Sequence, residues 1–330
     1  MIKLKNKFAI GCHMQWFEVE IAGCYIESVK NALKNLENRG NVIIDVMINM
    51  SQYLEKIDTS KIKKHELLIK FKKMISNLEA ELHTAVNVEI YDNDNLPYTI
   101  ANYRRDFNNK YCEKVDVLMW GETDSLIPKQ TFEILDLLHS NNANQNVHKY
   151  VAFFGGCKMW DESWEPIEHN DFTDKPFIDG DKDNWWSLRY NMTIEEMNKI
   201  NDEVTDLDVS VVNPYKFNGC GLIISSDVVK SGVNIPRGMM LIHEDTAFQN
   251  ALIKFFDGQI PQFVFKNILL VHNRKHDKKR EYVLDEKGEE ASDRRRNNDW
   301  YKKVWKLDHH NAYNLFNQSK VYTWEDVFDE

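Results

Sequence analysis

The chain has 330 residues, of which 42% are hydrophobic and 12% aromatic, with 13 Gly and 7 Pro. This composition indicates a globular protein with a large core and excludes a disordered or fibrous one. The formal net charge of −10 argues against a protein whose whole surface coats nucleic acid or anionic lipid, while local basic patches stay compatible with it.

The cysteines and the N-terminus add two exclusions. The five Cys are scattered without C-x-x-C spacing, which indicates neither a zinc knuckle nor a disulfide framework. The apolar run before His13 is too short for a signal peptide or a membrane span. We therefore expect a cytoplasmic protein that does not insert into a membrane.

Strand-like and helix-like segments alternate in the first half of the chain. Strand-like segments are predicted over residues 8–12, 41–49, 86–92 and 115–120, of which 41–49 is a continuous β-branched run typical of a buried strand. Apolar residues at helical spacing predict helices over residues 20–36, 59–82 and 97–111. Thr59 or Ser60 is the expected N-cap of the second helix. This order predicts an α/β fold, a mostly parallel sheet flanked by helices.

The second half is less regular. A helix over residues 127–140 and a strand over 147–156 precede an acidic, Trp-rich stretch at 158–190, which is too long for an ordinary connection and indicates a functional insert or flap. After it, the pattern predicts a helix at 193–204, an apolar segment at 219–229, a helix at 243–256 and a strand at 262–276.

The segment "VDVLMWGETDSLIP" places Glu122 and Asp124 directly after the fourth predicted strand. Ligands of open parallel sheets bind outside the carboxyl ends of the strands. An isolated acid-x-acid turn is usually just a solvated turn. Two hard oxygen ligands at this spacing can instead hold a divalent cation that neutralises a diphosphate.

With the helix that follows, "VDVLMWGETDSLIPKQTFEIL" resembles the metal-binding segment of the GT-A fold nucleotide-diphospho-sugar glycosyltransferases, in a relaxed form with Glu122 at the first position of the Asp-x-Asp motif. The resemblance implies that Asp124 binds Mn²⁺ or Mg²⁺ and that Glu122 contacts the metal and the ribose or sugar of the donor. It also implies that His272, in "LLVHNRKH", completes the metal ligands, with His276 as the alternative. A single late His is otherwise more often structural.

Two later motifs extend the resemblance in the same order. "FNGCGLIISSDVV" resembles the loop and strand that line the donor sugar, which implies donor contacts from Asn218 and Gly219. "HEDTAF" is similar to the family's Glu-Asp motif, in which an acid deprotonates the acceptor hydroxyl in inverting members. We expect Asp245 in that role, with Glu244 as the alternative. Acids in a first helical turn are also favoured by the helix dipole in any protein.

The nucleotide pocket is expected upstream, where the resemblance implies uracil and ribose contacts after the first strand, a base contact after the third strand, and diphosphate or ribose contacts from the helix "ANYRRDFN". The residues so implied are Gly11, Cys12 and His13, then Asp92, then Arg104 and Arg105. The alternatives are a plain β-α turn for the first three residues and a solvated helix face for the two arginines.

The resemblance divides the chain into a GT-A domain over residues 1–276, with the acceptor-side insert 158–190, and a charged, mostly helical extension over 277–330. Trp160, Trp164, Trp185 and Trp186 of the insert are expected either to stack on the acceptor or to pack the loop onto the core. Basic residues alternate with Trp300, Tyr301 and Trp305 in the extension, a mixture typical of phosphate contacts combined with base stacking. A salt-bridged solvated helix is the alternative.

The first 60 residues and the Lys-, Asn- and Ile-rich composition resemble glycosyltransferases of large tailed phages that modify hydroxymethylated pyrimidines in their own DNA. We therefore expect transfer of a sugar from a UDP-sugar to a hydroxyl, with hydroxymethylcytosine-type bases of phage DNA as the leading acceptor. A glycan or protein hydroxyl is the second possibility. A non-catalytic nucleotide-sugar or nucleic-acid binding module that retains the fold is the third.

Overall fold

The computed structural model describes residues 1–54, 63–155, 192–211, 219–272, 299–317 and 319–328. Its strands are β1 (Phe8–Gln15), β2 (Val42–Asn49), β3 (Val86–Tyr91), β4 (Val117–Glu122), β5 (Ser125–Leu126), β6 (Val151–Gly155), β7 (Val209–Val211), β8 (Ile223–Ser225), β9 (Gln262–Leu269) and β10 (Val271–His272). Its α-helices are α1 (Val19–Lys34), α2 (Lys64–Leu82), α3 (Ile100–Tyr111), α4 (Thr131–Asn144), α5 (Ile194–Asp202), α6 (Ser226–Lys230), α7 (Glu244–Phe256), α8 (Asp299–Tyr313) and α9 (Trp324–Phe328).

Eight of the strands form one sheet in the order β3-β2-β1-β4-β8-β6-β9-β7, and β5 pairs with β10 in a separate ribbon. The first four strands along the chain are parallel neighbours, with Phe8 in register with Val42 and Val117. Strand β8 runs antiparallel between β4 and β6, and β6 and β9 are again parallel. The expected α/β architecture with a mostly parallel sheet is therefore confirmed.

Several element boundaries differ from the sequence-based expectation. Helix α2 begins at Lys64, and the expected N-caps Thr59 and Ser60 lie outside the described residues. Strand β4 extends to Glu122, which makes the first carboxylate of the acidic pair the last residue of a strand rather than part of a loop. The apolar segment 219–229 divides into a turn, the short strand β8 and the start of α6.

Successive side chains of a strand point to opposite sides of the sheet, and both sides of the central strands are covered. Ile10 belongs to the core cluster that contains residues of α1, α2 and α4. Ala9, its neighbour on β1, belongs to the cluster that contains residues of α3, α6 and α7. Burial on both faces explains why these strands are continuous apolar runs without polar alternation.

A buried carboxylate helps to attach helix α8, in the C-terminal extension, to the body of the protein, beside the hydrogen bonds made by Asn250 and Asn311. The side chain of Asp308 accepts hydrogen bonds from the backbone N–H groups of Met240, Leu241 and Ile242, at 2.9, 2.7 and 2.8 Å. These three residues directly precede α7. Asp308 therefore joins the described part of the C-terminal extension to the segment that leads into that helix. Among the described helices, none combines the length and the hydrophobicity that crossing a membrane would require.

Replacing Asp308 with Ala is expected to lower the free energy of unfolding by about 3 kcal/mol, because three buried N–H groups lose their acceptor and each unsatisfied buried donor costs about 1–3 kcal/mol. Urea unfolding followed by circular dichroism measures the change. The matched control is Asp299→Ala, at the exposed start of the same helix, for which we expect a loss below about 0.5 kcal/mol. Equal losses in the two variants would contradict the anchoring role.

Candidate functional site

The acidic pair lies at the end of β4, where a tight turn leads into β5. The hydroxyl of Ser125 donates to the backbone carbonyl of Glu122 at 2.9 Å and accepts from its N–H at 3.2 Å, which closes the turn. Because β5 pairs with β10 with Ser125 opposite His272, the imidazole is brought beside both carboxylates. Its Nε2 lies 3.1 Å from Glu122 Oε2 and 3.5 Å from Asp124 Oδ1.

A second group of contacts converges on Arg104 of α3, whose side chain is almost completely buried. Its Nη2 donates to Glu122 Oε1 at 2.6 Å and to the carbonyl oxygen of Gly219 at 2.9 Å. Its Nη1 donates to Glu244 Oε1 at 2.5 Å, and the guanidinium lies 4.8 Å from the ring centroid of Trp120. One arginine thus links the end of β4, the turn at Gly219 and the start of α7.

The turn at residues 219–221 is tightly constrained. A Cβ on Gly219 would lie 2.1 Å from Arg104 Nη1, so only glycine fits under the guanidinium. Gly221 has a φ of +69°, in the left-handed region that favours glycine, and its N–H donates to the carbonyl of Trp120 at 3.0 Å. These two glycines hold the intervening Cys220 against the end of β4.

Cys220 is a site residue that the sequence patterns did not single out. It is buried, and one ligand atom each from Cys220, Glu122 and His272 lie within 4.8 Å of one another. Asp124 lies beside these three residues, with its Oδ1 3.5 Å from His272 Nε2. In the sequence, Cys220 has neither a neighbouring Cys nor ligand spacing, and no pattern rule could have selected it.

The acids around Arg104 titrate unequally. Burial acts to raise the pKa of Glu122, but the hydrogen bond from His272 and the charge of Arg104 together hold that pKa well below its ordinary value. Burial and the nearby charge of Asp245 raise the pKa of Glu244 to about 8, against the effect of Arg104. A single guanidinium facing two buried carboxylates thus favours one ionised and one protonated acid.

The donor set fits a divalent cation. Burial acts to lower the pKa of His272, but Cys220 and Asp124 hold it well above its ordinary value, which indicates an electrostatic environment that favours positive charge. Carboxylate oxygen and imidazole nitrogen are common ligands of divalent metals. Glu122, Asp124 and His272 are the residues that would hold the ion, and when bound it would supply positive charge toward a diphosphate.

The two expected catalytic acids have different surroundings. Glu244 is buried, and its carboxylate accepts a hydrogen bond from Arg104. Asp245 is half-buried, and its carboxylate accepts from the backbone N–H groups of Gly219 at 2.9 Å and Thr246 at 2.7 Å. These two donors orient the carboxylate of Asp245 and leave it the more accessible acid of the pair.

Residues expected to line the nucleotide are spread along β1. A Cβ on Gly11 would lie 2.5 Å from the ring of Phe107, which makes Gly11 a point of close contact between β1 and α3. Cys12 is buried in the core beneath α1 and α2, and burial together with Glu18 raises the pKa of its thiol well above the ordinary value. His13 pairs in register with Glu122 on the neighbouring strand. Their nucleotide contacts remain predictions.

Aromatic rings near His13 were not anticipated from the sequence. The imidazole centroid lies 5.8 Å from the ring of Tyr103 and 6.3 Å from that of Tyr98, and Tyr98 lies 4.9 Å from Tyr91. Tyr91 and Tyr98 flank the loop that follows β3. Their signal in the sequence was weak, because isolated tyrosines at strand and helix boundaries are common in any α/β protein.

The other expected contacts are peripheral or undescribed. Asp92 is exposed, with Oδ1 3.4 Å from Lys64 Nζ, and Arg105 has its Nε 3.6 Å from Asp106 Oδ1. Roles for both in donor binding remain predictions. Several further residues lie outside the described residues, namely Asn218, His276 and the tryptophans of the insert, Trp160, Trp164, Trp185 and Trp186.

No protein-family model and no curated protein matches the sequence. Among solved structures, the chain is similar to TarS 1–349 of S. aureus, with 10% identity, a TM-score of 0.45, and coverage of 97% of this chain and 76% of that one. It is also similar to the galactosyltransferase LgtC in complex with donor and acceptor sugar analogues, with 11% identity, a TM-score of 0.33 and coverage of 77% and 67%.

A third similar structure is a UDP-glucose pyrophosphorylase complexed with UDP-glucose, at 7% identity and a TM-score of 0.36, with coverage of 79% of this chain and 90% of that one. At such identities, the site geometry rather than these similarities is the basis for assigning a function to the chain.

Replacing Arg104 with Met is expected to lower the free energy of unfolding by about 3–5 kcal/mol, because it leaves the ionised carboxylate of Glu122 buried without its counter-charge. Adding Glu122→Gln to that variant should recover part of the loss, since that acid is then neutral. Urea unfolding of the single and double variants measures both effects. The control is Arg105→Met on the same helix, for which we expect a smaller loss. Identical losses at positions 104 and 105 would contradict the linking role of Arg104.

Proposed function

We propose that the protein is a metal-dependent glycosyltransferase that moves a sugar from a UDP-sugar to an acceptor hydroxyl. The observation that carries this proposal is the convergence of a cation-binding group and an oriented acid at one end of the sheet. Glu122, Asp124 and His272 form the proposed cation-binding group. Asp245 is the oriented acid, and it is joined to that group through the turn at Gly219.

The proposed roles follow from the surroundings of each residue. Glu122, Asp124 and His272 hold the cation that faces the leaving diphosphate, whose developing negative charge needs electrostatic stabilisation. Asp245 accepts the proton of the acceptor hydroxyl if the reaction inverts the anomeric centre, and positions the acceptor if it retains it. Arg104 acts through Glu122, Gly219 and Glu244, by keeping these groups in place.

The nucleotide is proposed to lie along the carboxyl ends of β1 and β3. His13, Tyr98 and Tyr91 form a run of neighbouring rings there, and aromatic faces suit stacking of a planar base. Asp92 lies immediately after β3 and is exposed, so its carboxylate is available to a base or ribose. This arrangement supports a nucleoside diphosphate as the carrier of the sugar.

Asp245→Asn is expected to reduce sugar transfer about 10²- to 10⁴-fold, the contribution of a general base, while cation-dependent UDP binding stays unchanged. Asp124→Asn should instead weaken UDP binding in the presence of Mn²⁺. Transfer from labelled UDP-sugars and isothermal titration with UDP measure the two effects. The control is Asp227→Asn on α6, an exposed acid outside the site, which should behave as the wild type.

These measurements also separate the enzyme from a non-catalytic binding module with the same fold. A module that has lost its metal would bind UDP equally with and without Mn²⁺, or not at all. Unchanged UDP-sugar hydrolysis in Asp124→Ala, together with such binding, would reject the transferase.

For the acceptor we propose hydroxymethylcytosine-type bases in DNA, supported by helix α8. Trp305, His309 and Tyr313 are exposed and one turn apart, with ring centroids separated by 5.6 and 4.4 Å. His243, directly before the Glu-Asp pair, lies 5.5 Å from both Trp305 and His309. Stacked rings beside exposed lysines of the same helix suit bases and phosphates.

Labelled UDP-sugars offered to hydroxymethylcytosine DNA and to plain DNA test this acceptor. We expect transfer to the modified DNA alone, and a Trp305→Ala variant should weaken DNA binding by about 1–3 kcal/mol through loss of one stacking partner. Lys254→Ala, on α7, is the control. Transfer to a glycan or protein acceptor but to neither DNA would reject DNA as the acceptor and leave the transferase standing.

A further inference from the structure

We propose that the thiolate of Cys220 is a ligand of the cation site, so that the site selects Zn²⁺ or Co²⁺ over Mg²⁺. This inference rests on the proposed function because it concerns the cation proposed there. It assigns Cys220 as a ligand beside Glu122 and His272, and thereby names the class of metal.

The position of Cys220 is fixed by its neighbours rather than by its own side chain. Gly219 is held from both sides, through its carbonyl by Arg104 and through its N–H by Asp245. On the other side of Cys220, the N–H of Gly221 is bonded to Trp120 in β4, and a Cβ there would lie 2.5 Å from Leu270 Cδ1. The thiol is therefore held in the space between the ends of β4 and β10.

The separations agree with a shared ion. Two atoms that ligate one tetrahedral Zn²⁺ lie about 2.0–2.3 Å from it, so they are about 3.3–3.8 Å apart. The ligand atoms of Glu122, Cys220 and His272 lie within 4.8 Å of one another, so shifts of about 1 Å bring them to that spacing. Glu122 keeps Oε1 on Arg104, and its Oε2 lies 3.1 Å from His272 Nε2, so an ion bound by these two atoms would replace the contact between them.

The chemistry of this donor set distinguishes between metals. Mg²⁺ requires oxygen ligands in an octahedron, and a thiolate contributes little to its binding. Zn²⁺ takes thiolate, imidazole and carboxylate ligands together, and because it can expand to five-coordinate, a site with Cys220 beside Glu122, Asp124 and His272 still has a position for substrate. The thiol loses its proton to solvent when the metal–sulfur bond forms, so binding releases a proton. No change of oxidation state is involved.

The test is a titration of the full-length reduced chain with Co²⁺, which reports sulfur ligation through a thiolate-to-metal charge-transfer band in the near ultraviolet. We expect this band in the wild type and in Cys24→Ser, an exposed cysteine that serves as the matched control. Cys220→Ser should lose the band and weaken Co²⁺ affinity at least about tenfold, while its Mg²⁺ affinity changes little. Excess Mg²⁺ should leave the band in place, and Zn²⁺ should abolish it by displacement.

Cadmium NMR of the wild-type chain gives a second measurement that needs no variant, because the chemical shift of the bound ion reports sulfur among its ligands. Co²⁺ binding without a charge-transfer band, or the same spectrum in wild type and Cys220→Ser, would overturn the proposal. If sugar transfer then still required a divalent ion, the transferase would stand without a sulfur ligand. A band without any sugar transfer would support the metal site and count against the transferase.

Discussion

The arrangement of the site depends on the buried guanidinium of Arg104. It belongs to α3, yet its partners Glu122 and Glu244 lie 18 and 140 residues further along the chain. Removing these charges from water costs several kcal/mol for each ion. Replacing the arginine and both acids together by well-packed apolar side chains would therefore change the net stability little. Its effect is on geometry. The planar guanidinium bonds to the end of β4, the turn at Gly219 and the start of α7, so it determines where these three segments lie relative to one another.

The turn at Gly219 shows how that constraint extends to neighbouring residues. Because the guanidinium occupies the space where a side chain would lie, position 219 must be glycine, and its free backbone then serves both Arg104 and Asp245. The orientation of the expected general base is therefore coupled to the same arginine through a single residue, Gly219. The proposed cation ligand Glu122 on β4 and the acid on α7 are two parts of one hydrogen-bonded unit.

Much of the fold was predictable from local pattern. Strands β1, β2 and β4 are buried on both faces and are largely apolar, whereas the edge strand β3 is mostly exposed, and the helices between the strands show helical spacing. The position of Glu122 and Asp124 followed from the end of β4 alone. Strand β8 was harder to predict, because only three residues of a longer apolar run pair with β4 and β6, and antiparallel insertion leaves no local signature.

The parts of the site that sequence patterns did not provide are long-range. Arg104 was expected at a diphosphate because it lies on the right helix, but only the tertiary structure shows its two terminal nitrogens engaged by carboxylates. The left-handed Gly221 lies directly beside Cys220, but the pairing of β10 with β5 that brings His272 to the thiol involves residues far from position 220. Local pattern placed the acids correctly because strand ends are local features.

The charge of the site explains why a cation and a diphosphate would depend on each other. Glu122, Asp124, Glu244 and Asp245 surround one guanidinium and one imidazole. Cys220 and Asp124 raise the pKa of His272 against the effect of burial, and burial followed by the charge of Asp245 raises the pKa of Glu244. An anionic diphosphate entering this field alone would be repelled. A divalent ion reverses the sign of the interaction, so by linkage each ligand must raise the affinity for the other by the same factor.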